Sequence, residues 1–133
     1  MKPVFVDAFF YVACLNRADQ FHERAMHFAR QPLGRMITTR MILIEVADAL
    51  AGSASRSKVA GFIAVLENDP AVHVTEPRPN LLQRGLRLYD ERPDKKWTLT
   101  DCISFVVMSD EGLSDALTGD HHFEQAGFRA LLR

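Results

Sequence analysis

Cysteine is scarce: the 133 residues contain two, and Cys14 and Cys102 sit in apolar runs with no partner at a metal or redox spacing. That excludes a disulfide framework or a thiolate metal centre, and both cysteines read as free, buried thiols of a reducing, cytoplasmic setting. Long hydrophobic runs are missing as well, so no segment qualifies as a membrane span. The N-terminal run Pro3-Val4-Phe5-Val6 meets an acid at Asp7, too early for a secretory signal. Nor is one sign of charge in excess: 16 basic and 17 acidic residues leave a formal net charge of -1. The global positive footprint common among nucleic-acid binders is thus absent. Any grip on a polyanion must come from a local patch, for which Arg84, Arg87, Arg92, Lys95 and Lys96 are candidates; each alone reads better as solvation of a helix face. Repeats and low-complexity tracts are absent, and the one small, polar stretch, Gly52 to Lys58, is no longer than an interhelical turn.

What is present is ample apolar material. A hydrophobic content of 47% in a chain of this length supports one core, and residues 1–133 read as a single domain. Pro3 to Val6 reads as a buried strand, followed by a helix over Phe9 to Leu15 and another over Asp19 to Arg30. A strand within Arg35 to Thr39 leads into a helix from Arg40 to Ala51, stopped by Gly52. Ser55 is placed to cap a helix reaching about Asn68, broken by Asp69-Pro70, with a strand at Val72 to Val74. Leu81, Leu82, Leu86, Leu88 and Tyr89 give helical spacing over Asn80 to Glu91. The helix from Leu99 to Asp110 is apolar nearly all round, which implies deep burial. Ala116 to Thr118, Asp120 to Ala126 and Phe128 to Leu132 complete the alternation as strand, short helix and strand. The fold class expected is α/β, a three-layer α/β/α sandwich over a mostly parallel sheet of about five strands.

Against this background four acids stand out, because charged side chains are rarely buried unless paired or bound to metal. Asp7 follows the first strand directly, where ligands bind in open parallel sheets, with an N-cap for the next helix as the lesser alternative. Glu45 lies three residues after Ile42 and four before Ala49, on the apolar side of its helix, with Asp48 as its competitor. Asp101 completes the capping-box spacing Thr98-Leu99-Thr100-Asp101, which by itself accounts for it. Asp120 sits at another strand-to-helix junction, where a helix cap is again the alternative, while Asp115 precedes that strand and falls at its opposite end. The adjacent His121 and His122 lack the i, i+4 spacing of a helical metal pair. Clustered carboxylates repel one another and need a compensating cation. Hard oxygen ligands in that number suit Mg²⁺ or Mn²⁺. No Ser-His-Asp or Cys-His arrangement stands in a suggestive context, and an aspartyl-nucleophile phosphatase would want an acid where Phe9 stands.

Four segments together resemble the PIN-domain ribonucleases, and within them the VapC-type toxins of toxin-antitoxin pairs. They are Val4-Phe5-Val6-Asp7, Ile44-Glu45-Val46-Ala47, Trp97 through Phe105 around Thr100-Asp101, and Leu117-Thr118-Gly119-Asp120-His121-His122-Phe123 continuing to Phe128. The last two are specific in combination; the first two are weak alone. The resemblance implies a PIN-like fold and a Mg²⁺- or Mn²⁺-dependent endoribonuclease whose metal and catalytic residues are Asp7, Glu45, Asp101 and Asp120. It also implies an RNA substrate, a cognate antitoxin, a homodimer and no membrane association. His122 and Phe123 are expected in a structural turn and a core contact. Ala8 departs from the pattern, since Ser or Thr often follows the first acid; Thr118 is placed to supply a hydroxyl instead. The competing reading is a non-catalytic module of the same fold that binds RNA or protein, for which four mutually repelling acids have no evident use.

Overall fold

A computed structural model describes residues 1–133 throughout. Five short strands, β1 (Val4–Val6), β2 (Met36–Thr38), β3 (Val72–Val74), β4 (Asp115–Leu117) and β5 (Arg129–Ala130), form one sheet in the order β3-β2-β1-β4-β5. Every pairing is parallel, with Val4 opposite Met36, Phe5 opposite both Ile37 and Ala116, and Val6 opposite Leu117. β1 occupies the centre, and all three of its residues are buried, so both faces of the sheet are covered. The chain runs outward from β1 through β2 to β3 and then returns to the other side of β1 for β4 and β5. The strand order therefore reverses between β1 and β4, which is the topological switch point of such a sheet.

Seven helices supply the cover. α1 (Ala8–Leu15), α2 (His22–Ala29), α3 (Arg40–Leu50) and α4 (Arg56–Asn68) form one packed group. α5 (Leu81–Glu91), α6 (Leu99–Glu111) and α7 (His121–Gln125) form the other. The all-parallel α/β architecture agrees with the fold class expected from the alternation. A single core runs through Phe5, Val6, Ile42, Val46, Leu50, Val107, Met108, Leu117 and Phe123. α5 and α6 pack closely because residue 85 is glycine: a Cβ there would lie 2.6 Å from Cγ1 of Ile103.

Three expectations need correction, and the burial along α5 adds a detail. Ser55 does not cap α4: its backbone is already helical, and its hydroxyl donates to the Leu15 carbonyl at 2.9 Å, tying the end of α1 to the start of α4. The apolar residues of α5 do not share one face, since Leu81 and Gly85 are buried and Leu88 is half-buried while Leu82, Leu86 and Tyr89 are exposed. Cys14 is only half-buried, unlike Cys102. Asp115 opens β4 rather than preceding it. It does lie at the end opposite Asp120, near Lys2 at 3.8 Å and Arg129 at 3.9 Å.

Candidate active site

The four singled-out acids come from four elements and converge. Asp7, Glu45, Asp101 and Asp120 line one cavity of about 260 Å³, together with Phe9, Val12 and Asp19. Asp7 is delivered by the carboxyl end of β1, Glu45 by the middle of α3, Asp101 by the first turn of α6 and Asp120 by the loop between β4 and α7. The site thus occupies the switch point beside the central strand.

Asp7 is not used as a helix cap. It holds the N-cap position of α1 with no side-chain capping bond, and its Oδ2 accepts a hydrogen bond from the Thr118 hydroxyl at 2.8 Å. The same hydroxyl oxygen accepts from the Asp120 amide at 3.0 Å, so Thr118 joins the two acids. The hydroxyl that Ala8 cannot supply therefore comes from the end of β4. Gly119 allows this loop to press against the cavity wall, because a Cβ there would lie 2.5 Å from the Phe9 ring.

Asp101 performs the capping function and lines the cavity as well. Its Oδ2 accepts from the Thr98 amide at 3.1 Å while Thr98 Oγ1 accepts from the Asp101 amide at 3.0 Å, closing a capping box. Asp120 likewise caps α7 by accepting from the His122 amide at 2.9 Å. Capping and cavity lining were competing explanations for these residues; the fold satisfies both with the same side chains. Glu45 prevails over Asp48, which is exposed and lines a separate cavity with Arg56.

His122 does more than occupy a turn. Its Nδ1 lies 2.9 Å from Asp101 Oδ2 and 3.4 Å from Asp120 Oδ1, so one imidazole bridges two of the acids. With Asp101 ionised, Nδ1 carries the proton and donates it. Phe123, by contrast, is a core residue as expected, fully buried against Phe105 and Phe5. His121, His122 and Asp120 offer potential ligand atoms within 4.8 Å of one another, although His122 Nδ1 is already directed at Asp101. Two further residues escaped the reading by pattern. Asp19, whose carboxylate accepts from the Phe21 amide, lies at the cavity edge and resembles any loop Asx turn in sequence. Gln125 accepts from the Trp97 indole at 3.0 Å and so couples α7 to the segment entering α6, a contact without local signature.

The electrostatics are those of a site built for a cation. Burial, opposed by the Thr118 hydrogen bond and reinforced by Glu45, Asp101 and Asp120, pushes the Asp7 carboxyl from 3.8 up to about 7. Burial, then repulsion from Asp101, Asp120 and Asp48, raises Glu45 from 4.5 to about 7. Asp101 is raised by burial, against the opposing pull of the Thr98 amide. No Lys or Arg nitrogen comes within 4.0 Å of any of the four carboxylates, and the only basic side chains that near are His121 and His122, against Asp101 and Asp120. Convergent hard oxygens without a Lys or Arg counter-charge fit a divalent ion of the Mg²⁺ or Mn²⁺ type.

No protein-family model matches the chain, and no curated protein matches it either. A solved structure does. The crystal structure of Mycobacterium tuberculosis VapC20, described as a sarcin-ricin loop cleaving toxin, aligns with a TM-score of 0.84 at 25% identity, covering 94% of this chain and 95% of that one. The chain shares the PIN-like fold of that VapC-type toxin. In this PIN domain the acid-lined cavity opens at the carboxyl edge of the sheet, at the switch point where an α/β fold binds its ligands.

Proposed function

We propose that this PIN domain is a Mg²⁺- or Mn²⁺-dependent endoribonuclease and the toxin of a toxin-antitoxin pair. The observation that carries the reading is the convergence of Asp7, Glu45, Asp101 and Asp120 on one cavity with no Lys or Arg beside them. The likeness to VapC20 supports it independently.

The four carboxylates would hold the ion. When bound, it supplies Lewis acidity toward a scissile phosphate and toward the attacking water. The chain's own part is to hold the acids ready. Thr118 fixes one oxygen of Asp7, and the capping box and His122 fix one oxygen of Asp101. No Ser, Thr, Cys, Lys, Tyr or His side chain lines the cavity, so cleavage by water is the route this residue set supports. The same resemblance leads us to infer a cognate antitoxin that places a basic side chain against the carboxylates, and a homodimer.

Cleavage of RNA, including a sarcin-ricin stem-loop, in the presence of Mg²⁺ or Mn²⁺ tests the proposal. Wild-type protein is expected to cut internally, and chelation or Asp101→Asn to abolish cutting. A folded Asp101→Asn protein that cuts as well as wild type would remove this site from consideration.

A further inference from the structure

The largest cavity of the molecule is not the acid-lined one but a neighbouring groove of about 810 Å³ on the connection between α5 and α6. Its lining includes Tyr89 at the end of α5, then Arg92, Lys95 and Lys96, and finally Thr98. Thr98 is the residue whose amide donates to Asp101 Oδ2, so the groove begins where the carboxylate cluster ends. The five-residue basic patch expected from sequence is divided by the fold. Arg84 is held by both its terminal nitrogens to Asp110 at 2.7 Å, away from this groove. Arg92 is paired with Asp94 and stacked 5.2 Å from the Trp97 ring, which makes it part of the groove's wall. Lys95 comes only within 4.0 Å of Asp94, and Lys96 is exposed and in no ion pair. Asp90 is the single acid among the lining residues. Tyr89 is 52% exposed, an aromatic face with no aromatic partner in the protein.

We propose that this groove is the path of the RNA strand on one side of the cleavage point, with Lys95 and Lys96 on phosphates and Tyr89 stacking on a base. The inference rests on the ribonuclease reading and adds how a protein of net charge -1 brings a polyanion to four carboxylates. Lysines with little or no ion pairing beside an aromatic face, next to the acid-lined cavity, are the combination that tracks single-stranded nucleic acid. A base-paired segment offers Tyr89 no unstacked base, so the groove selects a loop or single strand.

The test is fluorescence anisotropy with a short, mixed-sequence single-stranded RNA, titrated in Mg²⁺ with Asp101→Asn protein so that the probe survives. Joint Lys95→Ala and Lys96→Ala substitution is expected to lower the slope of log K against log salt by about 1.4, roughly 0.7 for each phosphate no longer neutralised. Tyr89→Ala should weaken binding roughly tenfold, and Tyr89→Phe should retain it. All three positions are half-buried or exposed, and melting curves verify that the variants fold. A salt slope unchanged by the lysine substitutions, or Tyr89→Ala binding as tightly as its parent, overturns the proposal and leaves the groove to a protein partner. If cleavage by the otherwise wild-type protein persists in that case, only the groove falls; if that protein neither cuts nor binds RNA, the ribonuclease reading falls with it.

Discussion

Replacing Asp7 with asparagine should stabilise the metal-free protein while disabling it. Moving this carboxyl from 3.8 to about 7 corresponds to roughly 4 kcal/mol against its ionised form at pH 8. The amide is the same size, its oxygen can still accept the Thr118 hydrogen bond, and it carries no charge to desolvate or to repel Glu45, Asp101 and Asp120. Relaxation of the wild-type site absorbs part of the difference, so a net gain of about 2 kcal/mol is expected, or on the order of 5–10 °C in Tm. The dependence on pH has a definite sign. Because folding raises this pKa, the folded protein holds the proton more tightly than the unfolded chain. Its contribution to stability is complete below pH 3.8 and is lost as pH rises through about 7. In chelator, the Tm advantage of Asp7→Asn over wild type should therefore be small near pH 4, grow toward pH 7 and then level off. Adding Mn²⁺ should reverse the order, since saturation at a hundredfold excess over Kd contributes about 2.7 kcal/mol to the form that binds it. Differential scanning calorimetry across pH, with and without Mn²⁺, reads all of this. An Asp7→Asn protein that melts below wild type at pH 8 in chelator would refute the claim that the cluster is held against its own repulsion.

Thr118→Val removes the one hydrogen bond that lowers the Asp7 pKa and leaves the Asp120 amide without its acceptor. It should destabilise the fold by about 1–3 kcal/mol and move the pH midpoint of Mn²⁺ binding upward, as read by calorimetric titration at several pH values. His122 acts as a positioning residue through Asp101. His122→Ala should weaken Mn²⁺ binding on the order of 10-fold, whereas His122→Gln, which can still donate to Asp101 Oδ2, should recover much of that loss. Equal Mn²⁺ affinity in wild type and His122→Ala would exclude the role.

Much of this architecture was legible because it depends on period and punctuation. β3 fell where Val72 to Val74 interrupts two helical patterns, and β1 ended at the acid that opens the site. Asp7, Asp101 and Asp120 were legible as junction residues, and Glu45 by its place on the apolar side of α3. The features that were misread or not legible depend on where a side chain points after the chain has closed on itself. Ser55 has the composition of a cap, but its hydroxyl meets Leu15, 40 residues away, so the local bond is forfeited. His122 reads as turn until α6 brings Asp101 beside it. In α5 the spacing of leucines and tyrosine satisfies a helix without saying which of them turn inward; that is decided by the approach of Ile103 to Gly85.

The position of the site beside β1 also governs how it fluctuates. The Asp7 amide donates to the Leu117 carbonyl, and β1 is bonded along both edges, so exposing that amide requires parting the middle of the sheet. Hydrogen exchange there should track global unfolding, whereas α4, with exposed Val65 and only Val59 and Leu66 buried, should open at lower cost. The central carboxylate of the site is therefore held in place through the ordinary breathing of the molecule. A partner that silences such a centre has little to gain by loosening it from within; it must act from outside, by filling the cavity or closing its approach.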